Sequence, residues 1–241
     1  MQIIWEKEKG GVQASISTKE QGDLSFKWGS EAGAVIENRR QWFSRLNLDL
    51  NKLIAVDQPH GNNVTKVSEA QCGRGVYQKD WLEGVDALIT SDTGIILGIE
   101  TADCLPIFLK DSKKNVIGLA HAGWRGVVAN IASNFVEVAL AAGARIDNIE
   151  IAIGPHIQKC CFVVKEEIIK EFKGSGVINN VGDQCHVDLQ LIVRNQLMEV
   201  GIKSENISVN SECTCCLKNK YYSYRRDKEK CVGSMLSIIT Q

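Results

Sequence analysis

Apolar residues along the chain fall into two patterns: short runs that are continuous or alternate with polar residues, and longer stretches in which they recur every three or four positions. The first pattern predicts strands. They are "QIIWEK" and "VQASIST" around Gly10 and Gly11, "KLIAVDQ" (52–58), "NNVTKVSE" (62–69), "VDALIT" (85–90) and "IILGIETAD" (95–103). "PIFLKDSKKNVIGLAHA" reads as a hairpin closed by the polar turn Asp111 to Asn115, and "IEIAIG", "ISVNSE", "YYSYRRD" and "MLSIIT" supply later strands. The second pattern predicts helices at "IENRRQWFSRL" and near "KEEIIKEF", and a third in which Asp188 caps a stripe of Leu189, Val193, Leu197 and Val200. The longest helix is expected after "GLAHAGWRG", where Val128, Ile131, Phe135, Val138 and Ala142 share one face. Gly143 would end it, and its N-terminus would lie near Arg125 and Gly126. With no fixed-period repeat and no linker, residues 1–241 read as one domain of the mixed α/β class.

Composition narrows the partners. The 28 basic and 29 acidic residues leave a net charge of −1, which gives no electrostatic case for nucleic acid or for an anionic membrane surface. "YYSYRRDKEK" (221–230) interleaves tyrosine with arginine but also carries acids, and reads as an exposed strand-loop or a small-molecule anion site. No window approaches a membrane span and the first residues lack the apolar core of a signal peptide, so a cytoplasmic protein is expected. In that compartment nine cysteines are packed, metal-bound or catalytic thiols rather than disulfides. "CTCC" (213–216) reads as small buried side chains at a strand end and not as a zinc ribbon.

Four histidines are available for chemistry: His60, His121, His156 and His186. Three of them stand where an element ends, a position at which a lone histidine is usually a hydrogen-bonded loop residue. Cys104 changes the picture for two of them. It lies in "ETADCLPIF", between an apolar strand and the hairpin that leads to His121. Were these strands to present their ends on one side, Cys104, His121 and His60 would converge. Two imidazoles and a thiolate with one open position make a catalytic zinc set, although spacing alone does not establish one.

The motifs "DQPHGNNV", "VDALIT", "IETADCLPI", "GLAHAGWRG", "IGPHIQKCCFVV" and "YYSYRRD" resemble, in order and separation, the laccase-domain or multicopper polyphenol oxidase family, also described as purine nucleoside phosphorylases with adenosine deaminase activity. The resemblance covers about residues 50 to 240, and TADC together with HAGWRG is its most specific part. It implies that His60, Cys104 and His121 are metal ligands, with zinc the usual occupant and copper in some members. It also implies a cytoplasmic enzyme acting on adenosine, inosine and 5′-methylthioadenosine with phosphate, as a monomer or small homo-oligomer. The implied fold is a layered α/β sandwich shared with deamidating toxins, which use a cysteine and histidine pair as nucleophile and base.

On this reading Asp103 either shuttles a proton or orients a ligand histidine. Arg125 and the start of the following helix would hold phosphate. Arg225 and Arg226 are the alternative clamp, or else one is salt-bridged to Asp227 and the other solvated. Trp124 either stacks on a base or plugs the core, the plug being favoured. Three departures from the family pattern alter the expected pocket rim: Lys19 stands near an arginine's place in a shortened loop spanning residues 19–33, Ser234 follows Gly233 where arginine is common, and Val163 replaces a frequent glutamate.

A multicopper oxidase needs a trinuclear cluster with more imidazoles than four histidines can provide, so phenol oxidation would be adventitious copper chemistry. Two other readings remain open. In one, Cys104 is a thiolate nucleophile activated by His121, in an amidase or peptidase that edits peptidoglycan precursors. In the other, the domain is a metal-stabilised binding module.

Overall fold

In the computed structural model, which describes residues 1–6, 11–28, 30–172, 176–181, 184–230 and 233–241, the strands form two large sheets and a small one. In chain order they are β1 (Gln2–Trp5), β2 (Gln13–Ile16), β3 (Leu53–Ala55), β4 (Val64–Lys66), β5 (Ala87–Thr90), β6 (Ile96–Thr101) and β7 (Leu105–Asp111). The remainder are β8 (Val116–Ala122), β9 (Glu150–Ile153), β10 (Val163–Val164), β11 (Val177–Val181), β12 (Gln184–Val187), β13 (Ile207–Val209) and β14 (Met235–Thr240). The first sheet runs β1-β2-β14-β6-β3, the second β13-β9-β7-β8-β5-β4, and the third β10-β12-β11. Helices are α1 (Ala32–Arg45), α2 (Trp124–Val128), α3 (Ile131–Ala141), α4 (Glu166–Glu171), α5 (Leu189–Glu199) and α6 (Tyr224–Asp227).

The two large sheets lie face to face. Ile16, Leu97, Ile99 and Ile239 of one meet Leu88, Phe108, Ile117, Leu119 and Ala152 of the other in a shared core. On the outer side of the first sheet, α1 buries Trp42 and Phe43 against Leu53, Ile96, Leu236 and Ile238. On the outer side of the second, α3 and α5 bury Phe135, Val136, Val193 and Leu197 against Ile89, Ile107, Leu109 and Ile151. The result is a four-layer α/β/β/α sandwich. Central strands are therefore apolar on both faces, and β6, β8 and β14 are buried at every position. Gly118 in β8 permits α3 to approach closely, since a Cβ there would stand 2.7 Å from the Phe135 ring.

Two sequence expectations are corrected. The long helix after "HAGWRG" is two helices, because Asn130 takes a left-handed conformation (φ 61°) and breaks the run. Its N-terminus falls beside Arg125, as the pattern places it, with Gly123 as the N-cap, and α2 has only five residues. "YYSYRRD" is not a strand. Tyr221, Tyr222 and Ser223 are buried loop residues, and the Ser223 hydroxyl caps the single turn of α6 by accepting from the Arg226 N–H. The hairpin over 105–122, the cap at Asp188 and the left-handed Gly143 behind α3 follow the pattern. Of the turn around Gly10 and Gly11, Gly10 lies outside the described residues.

His156 is a buried structural group. Its Nδ1–H donates to the Gly154 carbonyl at 2.8 Å, which leaves Nε2 to accept from the Gln158 amide at 3.0 Å. Burial lowers its pKa to about 4 from 6.5, opposed by the Gly154 bond. The folded state thus excludes a proton that the unfolded chain accepts below about pH 6.5, so this stabilisation is present above that pH and lost as pH falls toward 4. Wild type should lose up to about 3 kcal/mol relative to His156→Gln between pH 7 and pH 4, at about 1.4 kcal/mol per unit. Urea unfolding at several pH values measures the difference, and a pH-independent gap would refute it.

Candidate metal and substrate site

The link from β6 to β7, Ala102 to Cys104, crosses from the first large sheet to the second at one edge of the sandwich. His60 lies in the loop beyond β3 of the first sheet, and His121 is near the end of β8 in the second. The structure brings these three side chains together: one ligand atom from each of His60, Cys104 and His121 lies within 4.8 Å of the others. The two imidazoles are nearly perpendicular, with centroids 4.7 Å apart. His121 is buried, Cys104 half-buried and His60 exposed, so the group opens toward solvent on the His60 side.

Asp86, at the foot of β5, holds two of the three. Its carboxylate accepts from the backbone N–H of His60 at 3.0 Å and of Gly61 at 2.7 Å, and it lies 2.9 Å from His121 Nδ1. Its backbone carbonyl also accepts from the His121 N–H at 2.8 Å. Nδ1–H donation to this carboxylate leaves His121 Nε2 free as a donor to a metal. Loop 57–61 is further secured by Gln58, whose amide bonds both the N–H and the carbonyl of Glu100. The left-handed φ of Gln58 and His60, 57° and 67°, is sustained by these bonds.

Gly123 explains part of "HAGWRG". A Cβ there would stand 2.8 Å from the His60 ring, 3.3 Å from Cys104 Sγ and 3.5 Å from His121, so only glycine leaves the space between the donors open. Gly126 sits where a Cβ would meet the Gly61 carbonyl, which lets α2 close on the His60 loop. Burial lowers the His121 pKa to about 4 and also lowers that of His60, so both imidazoles are neutral at pH 7. Burial and the Asp103 and Asp86 charges push the Cys104 thiol up to about 12, and a nearby cation is what would ionise it. One thiol and two neutral imidazoles with an open side suit zinc, and also admit copper.

These side chains border a cleft of about 610 Å³, within the range of small-molecule sites. Arg125 lines it, exposed, with its guanidinium 4.3 Å from the Trp124 ring centroid. Trp124 also packs on the helical core and near Phe172, so it serves as both plug and wall. Arg225 lines the cleft while donating to the Cys161 and Val163 carbonyls. Arg226 does not line it; its guanidinium is taken up by Asp227 and by the carbonyls of Thr214, Cys215 and Tyr221.

The orienting role considered for Asp103 belongs to Asp86. The Asp103 carboxylate accepts from the Thr214 and Ser223 hydroxyls at 2.6 and 3.0 Å and from the Arg225 N–H at 2.6 Å, which fixes the 214–225 segment as a wall of the cleft. Sequence reasoning missed Asp86, whose signal was an acid at the start of "VDALIT" beside two motif strands. It also missed Lys27 and Trp28, which the divergent 19–33 segment delivers to the cleft. Ser234 there accepts a hydrogen bond from the Trp28 indole, whereas Lys19 turns away to the Lys218 carbonyl.

A four-layer sandwich with an open two-histidine, one-cysteine cluster between its sheets defines the class of protein. The family model described as multi-copper polyphenol oxidoreductase laccase matches residues 2–241, and the chain belongs to that family. It is 34% identical to "Adenosine deaminase RL5" of an unknown prokaryotic organism, over 93% of this chain and 92% of that one. It is 30% identical to the Escherichia coli "Purine nucleoside phosphorylase YfiH", over 98% and 96%. The crystal structure of YlmD from Geobacillus stearothermophilus superposes with a TM-score of 0.92 at 28% identity, covering 99% of both chains. The relatives are thus named as enzymes of purine nucleosides. Among the described residues, no helix is long and apolar enough to cross a membrane.

Zinc titrated into the metal-free protein should bind Asp86→Ala about 10- to 100-fold more weakly than wild type, through loss of the outer partner of His121 and of the His60 loop anchor in the candidate donor set. Competition titration against a chelator measures this, and unchanged affinity would remove Asp86 from the site.

Proposed function

We propose that the protein is a purine nucleoside phosphorylase with adenosine deaminase activity, releasing the base of adenosine, inosine or 5′-methylthioadenosine as the sugar 1-phosphate forms. The observation that carries this reading is the convergence of His60, Cys104 and His121 on a cleft that also presents Lys27, Arg125 and Arg225. The names of the relatives support the substrate class. His60, Cys104 and His121 would hold zinc, which would supply Lewis acidity for the hydrolysis in which water oxygen replaces the amino group at C6 of adenine and ammonia leaves. Asp86 keeps His121 in the tautomer that presents Nε2.

For phosphorolysis an oxygen of hydrogen phosphate bonds C1′ as the C1′–N9 bond breaks, and the departing base takes the proton that the phosphate gives up. Arg125 and Lys27 are the cations proposed to hold that phosphate. Arg125 has no hydrogen bond to its guanidinium among the described residues and is available, whereas the five-residue α2 contributes no extended helix dipole. Lys27 reaches the cleft while bonded to the Asp57 carbonyl and the Gln58 amide. Trp28 and Tyr224, with ring centroids 5.9 Å apart, offer aromatic faces to a purine.

The thiol-amidase reading is less well supported. A thiolate–imidazolium pair needs Cys104 lowered and His121 raised, and burial moves each the other way.

Metal-analysed protein incubated with inosine and phosphate should yield hypoxanthine and ribose 1-phosphate, with none from His121→Ala. Base release no greater than that control would overturn the proposal. Arg125→Ala should raise the KM for phosphate about tenfold, a loss of about 1.4 kcal/mol, while leaving the KM for inosine near its wild-type value.

A further inference from the structure

Away from the cleft's own donor set, four more thiols converge. Cys160, Cys161, Cys213 and Cys216 have their sulfurs within 4.8 Å of one another. Cys160 Sγ is 3.7 Å from those of Cys161 and Cys216, and Cys161 Sγ is 3.4 Å from that of Cys216. Four sulfurs each about 2.3 Å from one zinc at tetrahedral angles stand about 3.8 Å apart, so the observed separations match the edges of such a tetrahedron. They are too short to enclose a polynuclear iron–sulfur cluster.

The backbone prepares this arrangement from two turns. In the first, the N–H groups of Cys161 and Phe162 both bond the Gln158 carbonyl, which tightens the turn that carries the adjacent Cys160 and Cys161. In the second, Cys213 and Cys216 are separated by two residues, the interval of paired zinc ligands, which corrects the reading of "CTCC" as small buried strand-end residues. Cys213 Sγ accepts an N–H bond from Gln158 at 3.4 Å, a donor that stabilises a thiolate. Cys213 is buried, while Cys160 and Cys216 are exposed, so the group is accessible to a metal from solvent.

We propose that Cys160, Cys161, Cys213 and Cys216 form a tetrathiolate zinc site, structural in role and separate from the cleft. All four positions of the ion would be filled by protein, which leaves none for substrate. Binding releases the thiol protons to solvent as four zinc–sulfur bonds form, with no change of oxidation state. The two turns so joined are those that shape one wall of the cleft. The Cys161 and Val163 carbonyls hold Arg225, and the Thr214 and Cys215 carbonyls hold Arg226.

The test is a zinc count on full-length protein purified in reductant without chelator, by elemental analysis and native mass spectrometry. Wild type should carry two zinc ions per chain. His60→Ala/His121→Ala should retain one, which separates this site from the proposed nucleoside chemistry. Cys160→Ser/Cys216→Ser should also retain one and unfold at a lower temperature than wild type. Absence of zinc from the histidine variant would overturn the proposal, as would iron in its place or a Cys161–Cys216 disulfide read as the loss of two hydrogens in the intact mass. Should the cysteine variant fail to fold, cobalt added to the metal-stripped histidine variant decides. A thiolate-to-cobalt charge-transfer band saturating at one equivalent supports the site, and no such band refutes it.

Discussion

The Asp86 carboxylate, fully buried between the two large sheets' ends, takes backbone N–H bonds from His60 and Gly61 and a ring N–H from His121. A carboxylate in that position is costly unless its lone pairs are satisfied, and here the groups that satisfy it are the candidate ligands themselves. The anion therefore fixes loop and imidazole together. The hydrogen bonds lower its pKa against the effect of burial, which keeps it charged and keeps His121 Nδ1 protonated. The other site features are arranged around this pairing: Cys104 enters on the crossover between sheets, and Gly123 leaves the space between the three donors empty.

The sandwich explains why polar chemistry gathers at that edge. With helices on both outer surfaces and the sheets packed on each other, the central strands have no solvated face, and functional groups are left to strand ends and the connections between them. The cleft draws its wall from distant parts of the chain. Asp103 ties the 214–225 segment to the crossover, and Ser234 receives the Trp28 indole from the N-terminal region. The charged pair of Arg39 and Glu100 lies buried beneath, with Glu100 also bonded by Ser25 at 2.6 Å, so the segment leading to Lys27 is anchored before it reaches the cleft.

Much of the element content was legible because burial on both faces writes continuous apolar runs into β6, β7, β8 and β14. The errors have local causes. The periodicity of Val128 to Ala142 spans α2 and α3 alike, and nothing in it registers the left-handed Asn130 that bends one away from the other. "YYSYRRD" carries strand-like aromatics, but Ser223 caps a helical turn and Asp103, far away in sequence, accepts from its hydroxyl. Asp103 drew attention by standing next to Cys104, yet it sits in the bend between β6 and β7 with a φ of 101°, and its carboxylate faces Thr214 and Ser223.

The sequence by itself determined the residue types at the site, the strand and helix periodicities and the family resemblance carried by TADC and HAGWRG. It also limited copper chemistry, since four histidines are too few for a trinuclear cluster. Tertiary structure alone decided which residues meet. His60, Cys104 and His121 converge because the loop after β3, the β6–β7 crossover and the end of β8 meet at one edge of two sheets packed face to face, Lys27 and Trp28 arrive from a loop without a motif, and Cys160 with Cys161 faces Cys213 with Cys216 across more than fifty residues of chain. Local pattern records which face of an element is buried; pairing between distant elements depends on sheet order and crossover geometry, which no single stretch of sequence encodes.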